Sequence, residues 1–184
     1  MTAREFDPFR LDVVAFAKEA GELDGRWPLA RFDRIAESAV PGAPVTEADE
    51  VSWRARGEQR QLRGGDAQTW MHVEAATHVS LECQRCLKPV EVALQVSRNF
   101  LFVHGEDAAA QLDTDTEDDV LAITRALDLR ELIEDELLLA MPIVPRHEVC
   151  PEPLVPAANA AAEPVEDKPN PFAALAGLKR QNLN

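Results

Sequence analysis

The feature that most constrains the fold is a long alternation of apolar and polar residues between Met71 and Cys83. The even positions are mostly polar, and the odd positions are apolar or nearly so: Met71, Val73, Ala75, Thr77, Val79, Leu81 and Cys83. Successive side chains of a β-strand point to opposite faces, so this pattern predicts a long strand with one buried face. A second alternation from Val90 to Phe102 predicts a neighbouring strand.

Two turn-like stretches indicate how these strands connect. An earlier strand begins at Val51, Trp53 and Ala55, and the sequence RGGD at 63–66 is typical of a hairpin turn that follows it. The sequence CQRCLKP at 83–89 separates the two long alternations. Three consecutive antiparallel strands are therefore predicted.

The strongest helix pattern is DLRELIEDELLLAMP at 128–142. Asp128 and Glu131 have the spacing of a capping box, and Pro142 would end the helix. Its apolar stripe is Leu129, Leu132, Ile133, Leu137 and Ala140. The acids Glu131, Glu134, Asp135 and Glu136 are expected on the remaining, solvated surface.

Shorter elements flank this frame. Residues 9–24 predict a short amphipathic helix that Gly25 would help to end, and residues 27–41 predict a second helix that stops at Pro41. The acidic stretch 106–119 has little pattern, and the DVLAI that follows could add a strand.

These elements predict an α+β domain over residues 1–150. Its antiparallel β-sheet of three or more strands, open or curled into a partial barrel, would be packed by the N-terminal helices and the helix near 128–140. Residues 151–170 are Pro/Ala-rich and predict a disordered linker. Residues 171–184 predict a short terminal peptide or helix that docks on a partner, folds back or frays.

The charge of the chain argues against the simplest kind of nucleic-acid binder. Its 33 acidic and 19 basic residues give a net charge of −14, which repels phosphate. Such a chain suits a basic partner, or the charge serves only solubility.

The sequence has no secretory signal, no apolar run of about 18 residues that could span a bilayer, and an odd number of cysteines, so we expect a cytoplasmic protein with reduced thiols.

The charges are unevenly distributed along the chain. Residues 51–103 carry seven basic and five acidic residues, whereas residues 104–140 carry twelve acids and two arginines. If RNA is bound, its contacts are expected on the outer face of the sheet and on the second turn, at Arg54, Arg56, Arg85 and Lys88. A basic protein would instead meet the acids of the 128–140 helix.

The cysteines suggest a metal site. Cys83 and Cys86 form a C-x-x-C, and His147 and Cys150 follow about 60 residues later at a similar spacing. Together these four residues have the types and number of a structural zinc site, which would join the helix exit to the turn. The alternatives are a redox dithiol, which calls for a helix N-terminus rather than two flanking strands, and isolated thiols beside a buried turn.

Catalysis has little support in the sequence. It has no P-loop, G-x-G-x-x-G, nucleophile elbow or H-E-x-x-H motif. His72 and His78 lie on the polar side of the long alternation, as solvated histidines would. We therefore expect a protein that is not an enzyme.

Three segments together resemble a known family. CQRCLKPVEV, LDLRELIEDELLLAMPIVPRHEVC and the terminal NPFAALAGLK are similar to the YceD family, bacterial proteins linked to accumulation of the large-subunit (23S) ribosomal RNA. Some members carry further cysteines after the helix, where this chain has only Cys150, with His147 as a substitute. Members are commonly encoded beside a large-subunit ribosomal protein, which suggests a partner.

The resemblance implies a non-enzymatic factor in ribosome biogenesis that supports synthesis, processing or stability of 23S rRNA. Its partner would be 23S rRNA or its precursor, bound directly or through a protein. Two alternatives stay open: an acidic, chaperone-like binder of a basic large-subunit ribosomal protein, and a structural zinc-binding protein.

Overall fold

A computed structural model describes residues 5–61 and 64–151 of the chain, and contacts group the residues up to Val149 into one compact unit. The terminal peptide, and the linker after Pro151, lie outside the described residues. The helices and strands are α1 (Val13–Lys18), β1 (Glu22–Pro28), α2 (Asp33–Ser38), β2 (Glu50–Gln61), β3 (Ala67–Glu82), β4 (Pro89–Val103), α3 (Glu106–Asp113), β5 (Asp119–Ala122) and α4 (Leu129–Leu139).

The strands form one five-stranded sheet in the order β1-β2-β3-β4-β5. Strands β1 to β4 are antiparallel neighbours, and β5 pairs parallel to β4. The predicted α+β class is confirmed, and the sheet is open, with β1 and β5 at its edges. The strand expected from DVLAI is present as β5.

The two faces of the sheet are covered differently. The odd positions from Met71 to Cys83 are buried, as the alternation predicts, and the apolar ones in β3 share a core with residues of α1, α2 and α4. On the other face, α3 covers one end, where Ala109 packs with Trp70, Leu101 and Val120. The rest of that second face, called the open face below, carries the polar side chains of β2, β3 and β4.

The N-terminal elements differ from the prediction. The first helix is only Val13–Lys18, and Gly25 lies in strand β1 rather than at a helix end. Gly25 is paired with Trp53, and a Cβ at this glycine would lie 3.2 Å from the indole ring, so the strand can pass closely over Trp53. The second helix is shorter too: a 3-10 turn (Leu29–Arg31) precedes α2.

The strongest predicted helix is present as α4. The carboxylate of Asp128 accepts hydrogen bonds from the backbone N–H groups of Arg130 and Glu131, so Asp128 is the N-cap. The predicted stripe is buried from Leu129 to Leu137, whereas Ala140 caps the C-terminus and is exposed.

The expectation that all four acids of α4 face solvent is wrong for Glu134 and Glu136, which are only 9% and 7% exposed. Glu134 accepts hydrogen bonds from the backbone N–H and the guanidinium of Arg34 in α2 at 2.9–3.2 Å. Glu136 pairs with Arg98 of β4 at 3.4 Å. Burial and the charge of Asp119 raise the pKa of Glu136, and Arg98 opposes them. The arginines of α2 and β4 thus allow α4 to bury these two acids.

Removing the Glu134 carboxylate should loosen α4 from α2. We expect Glu134→Ala to lower the free energy of unfolding by about 1–3 kcal/mol, because it removes several hydrogen bonds and leaves the Arg34 N–H without its acceptor. The matched control is Asp135→Ala, which removes an exposed ion pair to the same arginine and should change stability by about 0.5 kcal/mol or less. Urea unfolding measures both, and equal losses for the two variants would contradict this account of α4.

Candidate metal centre and partner-contact residues

The cysteine pair lies on the tight turn between β3 and β4. The backbone N–H of Cys83 donates to the carbonyl of Lys88 at 3.0 Å, and the N–H of Leu87 donates to the carbonyl of Cys83 at 2.8 Å. Leu87 takes a left-handed conformation, with φ of 58°, to close the turn. The predicted placement of the C-x-x-C between two strands is therefore confirmed.

The segment that follows α4 returns to this turn. The N–H of Gln84 donates to the carbonyl of Pro145 at 2.9 Å. The guanidinium of Arg85 donates to the carbonyls of His147 and Glu148 at 2.9 and 3.2 Å. These bonds bring residues about 60 positions apart in the sequence to one end of the sheet.

The four predicted metal ligands come together at this point. One ligand atom each from Cys83, Cys86, His147 and Cys150 lies within 4.8 Å of the other three. The His147 Nδ1 atom is 3.4 Å from Cys86 Sγ, and the His147 backbone N–H donates to Cys83 Sγ at 3.4 Å. Atoms bound to a tetrahedral zinc ion at about 2.0–2.3 Å lie about 3.3–3.8 Å apart. The cluster therefore has the donor types and nearly the spacing of a tetrahedral zinc site.

The orientation of His147 also suits a metal ligand. Its Nε2 atom lies 2.9 Å from the carbonyl oxygen of Pro89, which can only accept a hydrogen bond. In a neutral imidazole the proton is then on Nε2, and the lone pair of Nδ1 faces the cluster. A backbone carbonyl that fixes the second nitrogen is the usual support of a metal-binding histidine.

The protonation of Cys83 fits the same chemistry. Burial acts to raise the pKa of its thiol, but N–H groups of His147, Arg85 and Cys86 and the Cys86 side chain donate to its sulfur and lower the pKa to about 5. These hydrogen bonds thus favour the thiolate of Cys83, which is the form that binds metal. The sequence predicted the ligands but not this hydrogen bonding.

The residues proposed for RNA contact lie in two places. Arg54 and Arg56 are on the open face, where they pair with Glu22 at 3.6 and 4.0 Å, and Arg56 also pairs with Glu74 at 3.4 Å. Arg85 and Lys88 belong to the cysteine turn and are both exposed. The structure does not bring these four residues into one basic surface.

The acids proposed for partner contact separate into two pairs. Glu131 and Asp135 are exposed on α4, whereas Glu134 and Glu136 are buried in ion pairs. Only the first pair can meet a partner without breaking the fold.

Sequence reasoning missed a set of exposed aliphatic side chains near the cysteines. They belong to the turn, to the end of α4 and to the chain after it, where no periodic pattern singles them out: Leu87, Leu139, Ile143, Val144 and Val149. In addition, none of the helices within the described residues is long and apolar enough to cross a membrane.

Comparison with known proteins identifies the family. The sequence model described as "Large ribosomal RNA subunit accumulation protein YceD" matches residues 71–179. A protein of that name from Haemophilus influenzae is 30% identical over 182 residues, which cover 95% of this chain and 97% of the relative. No solved structure matches the chain significantly. The resemblance expected from the cysteine turn and α4 is confirmed: the chain belongs to the YceD family.

Proposed function

We propose that this protein supports accumulation of the 23S rRNA as a binding factor in ribosome biogenesis, without catalysing a reaction. The observation that carries the proposal is its similarity, over nearly its whole length, to a relative named for large ribosomal RNA subunit accumulation. The protein would act in the cytoplasm, where ribosomal subunits assemble.

The arrangement of charge favours an indirect route to the RNA, through a protein. Affinity for RNA comes largely from cationic side chains that neutralise phosphates. Here Arg54 and Arg56 already pair with Glu22 and Glu74, and Arg98 pairs with Glu136. With a net charge of −14, the chain is better suited to a cationic protein than to a phosphate backbone.

We further propose that Cys83, Cys86, His147 and Cys150 hold a structural zinc ion. Zinc would link the turn between β3 and β4 to the segment after α4. Hydrogen bonds from Gln84 to Pro145 and from Arg85 to His147 and Glu148 join the same two parts of the chain. With four protein ligands the site would be closed, so it would stabilise the fold and leave no open position for a substrate.

The zinc proposal predicts that His147→Ala loses the metal. We expect the purified wild-type protein to contain one zinc ion per chain and the variant to contain little, because three ligands hold zinc much more weakly than four. Bound zinc should add about 4 kcal/mol to the free energy of unfolding when free zinc is about a thousand times its Kd. Metal analysis and thermal unfolding with and without a chelator measure these effects.

The control for this experiment is His78→Ala, which removes an exposed histidine of β3 outside the cluster. It should keep both the zinc and the response to the chelator. Reduced wild-type protein that contains no zinc and does not respond to a chelator would contradict the proposal.

The biogenesis proposal predicts a change in the balance of ribosomal RNAs. Deleting the gene should lower 23S relative to 16S rRNA, because the large-subunit RNA then lacks a factor needed for its synthesis, processing or stability. Wild-type protein and His78→Ala should restore the ratio, and His147→Ala should restore it poorly. Quantitative RNA electrophoresis measures the ratio, and an unchanged ratio in the deletion strain would refute the proposal.

A further inference from the structure

Five exposed aliphatic side chains lie on the cysteine turn, at the end of α4 and in the segment that follows it. Leu87 is 66% exposed, Leu139 75%, Ile143 99%, Val144 54% and Val149 85%. Among the described residues, Phe9 is the one other exposed large apolar side chain, and it is less exposed than these five, at 40%. Apolar exposure concentrated in two segments that contact each other indicates a contact surface rather than ordinary surface scatter.

These five residues, called the aliphatic patch below, are held at one end of the molecule. Leu87 is on the cysteine turn, Leu139 is the last residue of α4, and Ile143, Val144 and Val149 follow in the segment that returns to the turn. The bond between Gln84 and Pro145 and the bonds from Arg85 to the His147 and Glu148 carbonyls fix the two segments against each other. The patch is thus partly preorganised for a partner.

The chemistry of the patch selects a protein rather than RNA. Single-stranded RNA is held by aromatic side chains that stack on bases and by cations that track the phosphates. The patch consists of leucine, isoleucine and valine, which provide neither interaction. Such side chains are buried by the apolar side chains of another polypeptide.

Charge further restricts the partner. Glu131, Asp135 and Leu139 follow one another at intervals of four along α4, so an acidic stripe leads into the patch. Glu82 and Glu148 adjoin the two segments in the sequence, and Asp135 forms an ion pair with Arg34. Three cations lie nearby: Arg85, Lys88 and Arg146. The neighbourhood is therefore mixed in charge, and the net charge of the whole chain, −14, together with the acids of α4 favours a cationic partner.

We propose that the aliphatic patch docks a cationic protein segment that presents its own apolar side chains, of the type that ribosomal proteins expose before assembly. The inference rests on the proposed function and names its partner surface. The acids beside α4 meet the cationic side chains, and the patch buries the apolar ones.

Site-specific photocrosslinking tests the location. In one variant of the full-length protein, a photoreactive phenylalanine replaces Ile143. In the control variant, it replaces Ser97 on the open face. The probe is the mixture of proteins extracted from purified large ribosomal subunits and freed of RNA. We expect crosslinks from position 143 to be concentrated in one or a few strongly basic proteins, identified by mass spectrometry, and crosslinks from position 97 to be weak.

Three results of this experiment would overturn the proposal. The first is equal crosslinking from positions 143 and 97, and the second is crosslinking to acidic proteins or to none. The third is crosslinking mainly to residues 171–184 of the same chain, which would mean that the terminal peptide occupies the patch.

The affinity for the partner is then measured directly. The partner is the protein that crosslinking identifies, used in purified form. The double variant Ile143→Asp and Val149→Asp should bind about tenfold or more weakly than wild type, because it places charge where apolar side chains are buried. Ser97→Asp adds the same kind of charge on the open face and should bind as wild type does. The zinc content and thermal stability of the double variant should match those of the wild type, so that a loss of binding is not a loss of folding.

The two proposals can fail separately. If the double variant binds like wild type and restores the 23S to 16S ratio in a deletion strain, the patch is not the docking surface, and the biogenesis role stands. If deletion leaves the ratio unchanged, the biogenesis role fails, and the binding measurement alone decides on the patch.

Discussion

Much of this molecule depends on the contact between the turn at Cys83–Lys88 and the segment at Pro145–Cys150. His147 makes three interactions there: its backbone N–H donates to Cys83 Sγ, Nε2 donates to the Pro89 carbonyl, and Nδ1 faces Cys86. This contact closes a loop of about 60 residues that contains β4, α3, β5 and α4. These bonds join residues that are far apart in the sequence, and a metal ion held by both segments would strengthen the same contact.

Several cationic side chains of the sheet are paired with acids of the same chain. On the open face, Glu22 and Glu74 pair with Arg54 and Arg56, and on the core side Arg98 pairs with Glu136. Exposed pairs of this kind contribute little stability, but they leave less cationic surface for phosphate. The surface groups best suited to contact a partner are thus the exposed acids and the aliphatic patch.

The sequence predicts the centre of the fold better than its edges. The alternation over Met71–Cys83 is unambiguous because β3 has a strand on each side and one buried face. Strand β1 was missed because ELDGRWP contains glycine and proline and lies at the edge, where its side chains are only partly buried. Helix α3 was missed because its one buried residue is Ala109, which gives no apolar stripe.

The site was predictable in its residue types but not in its geometry. The spacings of Cys83–Cys86 and His147–Cys150 indicate zinc ligands, yet spacing cannot show that the two pairs meet across the fold. The burial of Glu134 and Glu136 was not predictable either, because their partners Arg34 and Arg98 are distant in the sequence and reach α4 only once it is packed. The aliphatic patch has no sequence period because its residues belong to a turn, to the last position of α4 and to the loop that follows it.

The central claim is that the cluster is a closed zinc site that joins the turn to the segment after α4. X-ray absorption at the zinc edge, measured on the purified full-length protein, tests it most directly because it counts the ligands and gives their distances. The account predicts a four-coordinate ion with three sulfur atoms at about 2.3 Å and one nitrogen at about 2.0–2.1 Å. A first shell of only oxygen and nitrogen, or of fewer than three sulfur atoms, would contradict it.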